Sequence, residues 1–255
     1  MLALKLGLSL PSSNSGSGAA SFDNLYSLAF DGVDDYVNIG DADVLTPNDS
    51  GANRGFSVSF WFKCPSKTEI LLAKSNEYTI WFDYDRKVRM QLFSGGGLSI
   101  YRTFSIDTIA SYDIWHNITI SWNLGNTDAD MIGYLDGVKH SVALGNASWA
   151  DTGSFVSVSN TDKDLLFGRY NANYAEMNFD EVALFDSALS DSESTLIYNG
   201  GTPDNLSSID YLIGWWRNGD TAGTSVYPTI TDDSSNSNDG TMTNMDSGDI
   251  VTDVP

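Results

Sequence analysis

The chain has 255 residues, 41% of them hydrophobic, with seven Trp, twelve Tyr and twelve Phe: enough apolar mass for a core, and too much for a disordered polymer. Thirty-four acids stand against 13 Lys and Arg, and the net charge of −21 excludes nucleic acid and anionic membrane surfaces as partners by repulsion. The single cysteine, Cys64, excludes an intrachain disulfide, so folding does not depend on oxidising conditions.

The first ten residues place Leu2, Leu4, Leu6, Leu8 and Leu10 at alternate positions, with Lys5, Gly7 and Ser9 among the residues between. The interruptions deny this segment the apolar run of about 7 residues of a secretory signal and the ~20 of a membrane span. Strict alternation predicts an extended arm with one Leu face, followed by a flexible Ser/Gly linker over residues 11–21. Such an arm suits strand addition to another subunit; the alternative is an arm folded back onto its own domain.

From Leu28 the pattern is a succession of short alternating runs. They are Leu28–Phe30, Tyr36–Ile39, Phe56–Phe62, Ile70–Ala73, Tyr78–Phe82, Val88–Leu92, Leu98–Phe104 and Trp115–Trp122. Met131–Leu135 and Val138–Val142 flank Asp136-Gly137, a hairpin signal, and Ser154–Ser159 and Leu165–Gly168 follow. A dozen strands at regular spacing predict an all-β protein, a two-sheet antiparallel jelly-roll sandwich. Trp61, Trp81, Trp115, Trp122 and Trp215 fall within strand patterns and are expected in the core.

Phe179–Phe185 also alternates, with Phe179, Glu181, Ala183 and Phe185 expected on one face and Asp180, Val182 and Leu184 on the other. Ser190 and Glu193 then form a capping box for one short helix, ended by Gly200 and Gly201. The last fifty residues contribute one more strand, Tyr211–Trp216, and the polar tract Thr231–Thr241. Too few apolar residues remain there for a second core. The organisation is therefore an arm and linker over residues 1–21, a jelly roll over 22–205, and a tail over 206–255 that docks on the same domain.

Leu28-Ala-Phe-Asp-Gly-Val-Asp-Asp-Tyr-Val37, Phe56-Ser-Val-Ser-Phe-Trp-Phe-Lys63, Trp115-His-Asn-Ile-Thr-Ile-Ser-Trp122, Tyr134-Leu-Asp-Gly137, Leu166-Phe-Gly-Arg169 and Phe179 to Gly200 occur in that order. Together they resemble the LamG-like, concanavalin A-like jelly-roll family over residues 22–201. Gly214-Trp-Trp216 and Asp233–Thr241 are similar to pieces that in that family precede the first motif; here they follow the helix, so the chain is read as circularly permuted or as carrying a second copy of the strand. The tail and the Leu arm resemble LamG-type proteins of marine tailed bacteriophages. That likeness implies a non-enzymatic virion structural protein, a capsid decoration or fibre-type subunit, whose arm docks on capsid or other virion subunits in an oligomeric assembly. The alternative is a secreted or cell-surface carbohydrate-binding module, extracellular and calcium-dependent.

Chemistry is sparse. Hydrolases of this fold imply paired carboxylates on alternate residues of one strand, and the chain has no such run; it also lacks a G-x-S-x-G elbow and Cys/His zinc spacing. His116 and His140 lie in strand patterns and read as structural, so no catalytic residue is assigned. Glycan binding is expected of loop aromatics with neighbouring amides: Trp149, Tyr170 and Tyr174, with Asn171 and Asn173, and Tyr112 as a further aromatic. No cofactor is required; calcium is the metal that acidic turns suit. The resemblance brings the first turn and the last strand of the sandwich together, which makes Asp31 and Asp180 partners, with Asp233 as a third carboxylate. The competing reading is that these carboxylates cap turns.

Overall fold

Alternating aromatic and branched residues leave each strand with one face to bury, and two sheets packed face to face bury both sets. The computed structural model describes residues 22–47, 55–65, 70–83, 87–105, 113–125, 130–140, 155–220 and 227–255. The strands are β1 (Ser27–Asp31), β2 (Tyr36–Gly40), β3 (Phe56–Lys63), β4 (Ile70–Lys74), β5 (Tyr78–Asp83), β6 (Lys87–Ser94), β7 (Leu98–Ser105), β8 (His116–Trp122) and β9 (Met131–Leu135). They continue as β10 (Val138–His140), β11 (Leu165–Phe167), β12 (Arg169–Tyr170), β13 (Asn173–Tyr174) and β14 (Glu176–Phe185). After helix α1 (Asp191–Tyr198) come β15 (Leu212–Trp216), β16 (Thr229–Ile230), β17 (Gly240–Thr243) and β18 (Ile250–Val251).

One eight-stranded sheet runs β10-β9-β8-β3-β14-β1-β18, with β15 also on β14; the other runs β16-β17-β2-β11-β4-β5-β6-β7. All pairings are antiparallel. Phe56, Val58, Phe60 and Phe62 of β3 meet Tyr78, Ile80 and Phe82 of β5 between the sheets. Phe179 lies 5.1 Å from Phe60, and Trp216 lies 5.2 Å from Phe167, ring centre to ring centre. The other face of β3 carries Ser57, Ser59 and Trp61. Ser57 Oγ bonds Ser121 Oγ and donates to the Ser187 carbonyl, and Trp61 stacks on Tyr198 of α1. This explains why every position of β3 through Phe62 is buried.

The Asp136-Gly137 hairpin forms between β9 and β10, with φ of 50° and 70°, both in the left-handed region that a two-residue hairpin turn demands. Helix α1 has the expected capping box: Glu193 N–H donates to Ser190 Oγ, and Glu193 Oε2 accepts from Ser190 N–H. The strand expected over 154–159 does not form across its described part. Phe155 and Val158, three residues apart, are both buried while Val156 is 79% exposed, so the segment crosses the core edge with a spacing no strand allows.

The alternation expected for Phe179–Phe185 is also broken. Pairing of β14 with β3 shifts between Asp180 and Ala183, and Glu181 sits at φ 48°, a bulge that inserts one extra residue. The slip reverses the facing beyond it: Phe179, Val182 and Leu184 join the main core, whereas Ala183 and Phe185 pack with Leu189, Ile197, Leu206 and Trp215 around α1.

The tail is woven into both sheets. β15 pairs with residues 182–185 of β14, and β1 pairs with residues 176–179 along the same edge, so β15 and β1 lie end to end with the bulge between them. β17 pairs with β2 and β18 with β1. Ser27 Oγ donates to the Asp253 carbonyl at 2.7 Å, which sets the two described ends side by side. This is the geometry that a permuted motif order requires.

Candidate functional site

The outward face of the second sheet is the place where large side chains are left half-open. Cross-strand register puts Thr79, Gln91 and Tyr101 in one row of β5, β6 and β7, and Trp81, Arg89 and Thr103 in the next. Arg89 lies over Trp81 (5.2 Å) and Tyr101 (4.8 Å), and its Nε donates to Thr103 Oγ1. Gln91 Nε2 donates to Ser99 Oγ, which fixes the amide across the face.

Over this sheet stands the β12–β13 hairpin. Its turn uses Asn171 at φ 56°, a conformation Asn tolerates, and presents Tyr170 and Tyr174. Gly168, just before it, sits at φ 75° where a Cβ would meet the Phe30 ring at 2.7 Å, so only glycine lets the hairpin leave the core at that point. Between hairpin and sheet is a depression of about 670 Å³ lined by Thr79, Trp81, Gln91, Phe93, Tyr170 and Tyr174, among others. It shares Tyr170 with a second depression of about 370 Å³ that contains Asn38, Lys163, Asp164, Arg169 and Asn171. It shares Gln91 and Phe93 with a third of about 390 Å³ that contains Arg89 and Tyr101. The three form one groove across the sheet, from β2 to β7. Five strand spacings of about 4.8 Å make that roughly 24 Å, longer than a single sugar ring. Aromatic faces with flanking amides and hydroxyls are the lining that a polyhydroxylated ring needs: apolar C–H faces to stack and hydrogen-bond partners for its edges.

Of the residues expected to bind glycan, Tyr170, Tyr174 and Asn173 line the depression of about 670 Å³, and Asn171 lines the one beside it. Trp149 and Tyr112 lie outside the described residues, as does the Leu2–Leu10 arm. Trp81 is corrected from core to groove: Tyr78, Ile80 and Phe82 point inward, so alternation turns Thr79 and Trp81 out. Trp115 is likewise half-buried outside the core, its Nε1 donating to Asp253 Oδ1. Alternation within Tyr78–Asp83 and Lys87–Ser94 was the signal for Trp81, Arg89, Gln91 and Phe93. Without knowing which face is covered, it could not separate groove from core.

The three metal-ligand candidates do not converge. Among the described residues, the group of carboxylates close enough to share a cation is Asp31, Asp34 and Asp35, within 4.8 Å of one another. Two of the three are engaged with the turn: Asp31 Oδ1 accepts from Val33 N–H, and Asp35 Oδ2 accepts from Asp31 N–H. Asp35 is buried, and burial pushes its carboxyl up to about 6, partly opposed by the Asp31 amide. Gly32 and Val33 of this turn line the middle depression of the three.

Asp180 lies elsewhere, fully buried beside the β14 bulge, accepting from Asn24 Nδ2 and from Glu181 N–H. Burial, with Glu181 adding to it, holds its carboxyl well above the usual range. Glu181 accepts from Trp215 Nε1 at 2.7 Å and from Arg217 Nε at 3.1 Å; burial still raises it to about 7 against the pull of Arg217. Arg217 lies over Phe22 and Trp215, and its Nη2 donates to the Asp23 carbonyl. Asp233 is half-buried and raised by burial, its N–H on the Trp215 carbonyl. These groups fasten the N-terminal segment and the tail to the sandwich; the Asp180–Glu181 pair is walled off from solvent and offers no access to a substrate.

A two-sheet jelly roll with an aromatic groove across one sheet is the class that fold and site define. The model of the concanavalin A-like lectin/glucanases superfamily matches residues 31–193, and the chain belongs to that superfamily. No curated protein matches it in sequence. Among solved structures, a proposed carbohydrate-binding protein from Bacteroides ovatus is similar at a TM-score of 0.57 and 12% identity, over 91% of this chain and 60% of that one. The chain thus spans about three-fifths of that relative's length. A heptameric SAP-like pentraxin from Limulus polyphemus has a TM-score of 0.47 at 13% identity, over 70% of this chain and 84% of that one. The binding domain of botulinum neurotoxin serotype D has a TM-score of 0.46 at 17% identity, over 70% and 43%.

Proposed function

We propose that this chain is a non-enzymatic glycan-binding module whose ligand lies in the groove between the β12–β13 hairpin and the outward face of β5, β6 and β7. The observation that carries the reading is the convergence of Trp81, Phe93, Tyr170 and Tyr174 with Gln91 and Asn173 around one depression. Half-open aromatics on a sheet that otherwise buries its large residues are costly to leave to water unless something stacks on them. The carbohydrate-binding assignment of the Bacteroides ovatus relative is consistent with this reading. The experiment is a glycan array probed with the full chain and with Trp81→Ala. Binding by the first and not by the second supports the groove; an array silent to the full chain, with calcium present, sinks it.

A second reading, favoured by the strict Leu2–Leu10 alternation, adds a location: the module is carried on the virion of a tailed phage, with the arm paired to a capsid or fibre subunit. It is tested by particle incorporation of a chain lacking residues 1–20. Incorporation equal to that of the full chain would remove the arm from the account.

A further inference from the structure

The chain as a whole is strongly acidic, with 13 Lys and Arg against 34 acids, yet the groove reverses that balance. Among the described residues, those lining its three depressions include Arg89, Lys163 and Arg169, and one acid, Asp164. Asp164 already accepts from Asn38 Nδ2. Lys163 lies 3.1 Å from Asp162, whose side chain is 91% exposed; solvent screens such a pair, leaving the ammonium available.

Arg169 is the most prepared of the three. Its guanidinium lies 4.6 Å from the Tyr36 ring centre and 5.3 Å from that of Tyr174, and its Nε donates to the Asn171 carbonyl. The stack and that one bond fix the plane of the fork and leave the Nη groups for a partner. Among the described residues no carboxylate forms an ion pair with Arg169. A planar fork held flat on aromatic rings presents two parallel N–H donors, the geometry that matches two oxygens of one anion. The acidic turn Asp31–Asp35 borders the middle depression of the three through Gly32 and Val33.

We infer that the groove takes a glycan bearing an anionic group, carboxylate or sulfate, and that Arg169 is the residue that reads that group. The inference rests on the groove being the glycan site. A sugar ring stacks over the aromatic floor near Trp81 and Tyr174, and its acidic substituent projects towards Arg169 and Lys163.

The test uses the full chain and two matched pairs in titration calorimetry: a polygalacturonate with its methyl ester, and a sulfated galactan with its desulfated form. One anionic member is expected to bind about 10- to 100-fold more tightly than its neutral partner, and the responding pair names the anion. Arg169→Gln should bring that ratio close to one. Arg169→Lys, which keeps the charge and loses the fork, should give an intermediate ratio, and it serves if the Gln variant misfolds. Equal binding within both pairs, or binding of neutral array glycans with neither acidic polymer bound, overturns the anionic reading and leaves the groove standing. Silence towards every glycan overturns the groove itself and this inference with it.

Discussion

Among the described residues Arg89, Arg169 and Arg217 each lie over a pair of aromatic rings, and the last two are put to opposite uses. Arg217 rests on Phe22 and Trp215, is largely buried, and spends its donors on Glu181 and the Asp23 carbonyl. Arg169 rests on Tyr36 and Tyr174, is half-buried, and gives one donor to a backbone carbonyl. The ring stacks are alike; the surroundings decide. Where a buried carboxylate is in reach, the stack becomes a joint that holds chain segments together. Where solvent and an aromatic groove are in reach, it becomes a surface ready for a partner.

Breaking the joint should have the largest effect. Arg217→Ala leaves the Glu181 carboxylate buried without its cation, and a loss of about 3–5 kcal/mol in denaturant titration is expected. On the groove side, Trp81→Ala should lower glycan affinity by about tenfold or more, with a melting temperature close to that of the parent because the ring is half-open. A fall in affinity that tracks a fall in stability would place Trp81 in the core after all.

The joint also has a pH signature. Burial holds Asp180 well above its ordinary 3.8, so the folded chain keeps a proton that the unfolded chain has released. The stability from this group is complete below that ordinary value and is lost as pH rises above it. Asp180→Asn, which cannot ionise, should leave the melting temperature unchanged near pH 4 and raise it by several degrees at pH 8. An equal shift at both pH values would mean that ionisation of Asp180 does not matter. The smallest effect belongs to Arg169→Gln, whose cost in stability should stay under about 1 kcal/mol because its stack is exposed. A cost like that of Arg217→Ala would erase the distinction between the two arginines.

The contrast between joint and groove also explains what was legible in the sequence. Strand positions, the Asp136-Gly137 turn and the Ser190–Glu193 cap follow from local chemistry, and the sandwich follows from them. The bulge at Glu181 was not legible: one inserted residue leaves the composition of Phe179–Phe185 unchanged while reversing its facing beyond that point. Tyr170, Asn171, Asn173 and Tyr174 were visible as a loop rich in aromatics and amides. Trp81 and Arg89 were hidden because alternation gives two faces to a strand without saying which is covered; that depends on the hairpin more than eighty residues later. Asp31 and Asp180 were expected to meet, but β1 places Asp31 opposite Glu176 and thus four residues along β14 from Asp180.

The end-to-end arrangement of β15 and β1 on β14 has a consequence for how the protein is made. Trp216 fills the main core and β17 extends β2, so both sheets wait for strands synthesised after α1. In a chain synthesised only as far as α1, half of one edge of β14 lacks its partner strand and the Trp216 slot is unfilled. Closure of the sandwich therefore follows synthesis of α1, and until Thr243 emerges the growing chain carries an open strand edge beside unburied aromatics, the form in which β proteins are most prone to misassociate.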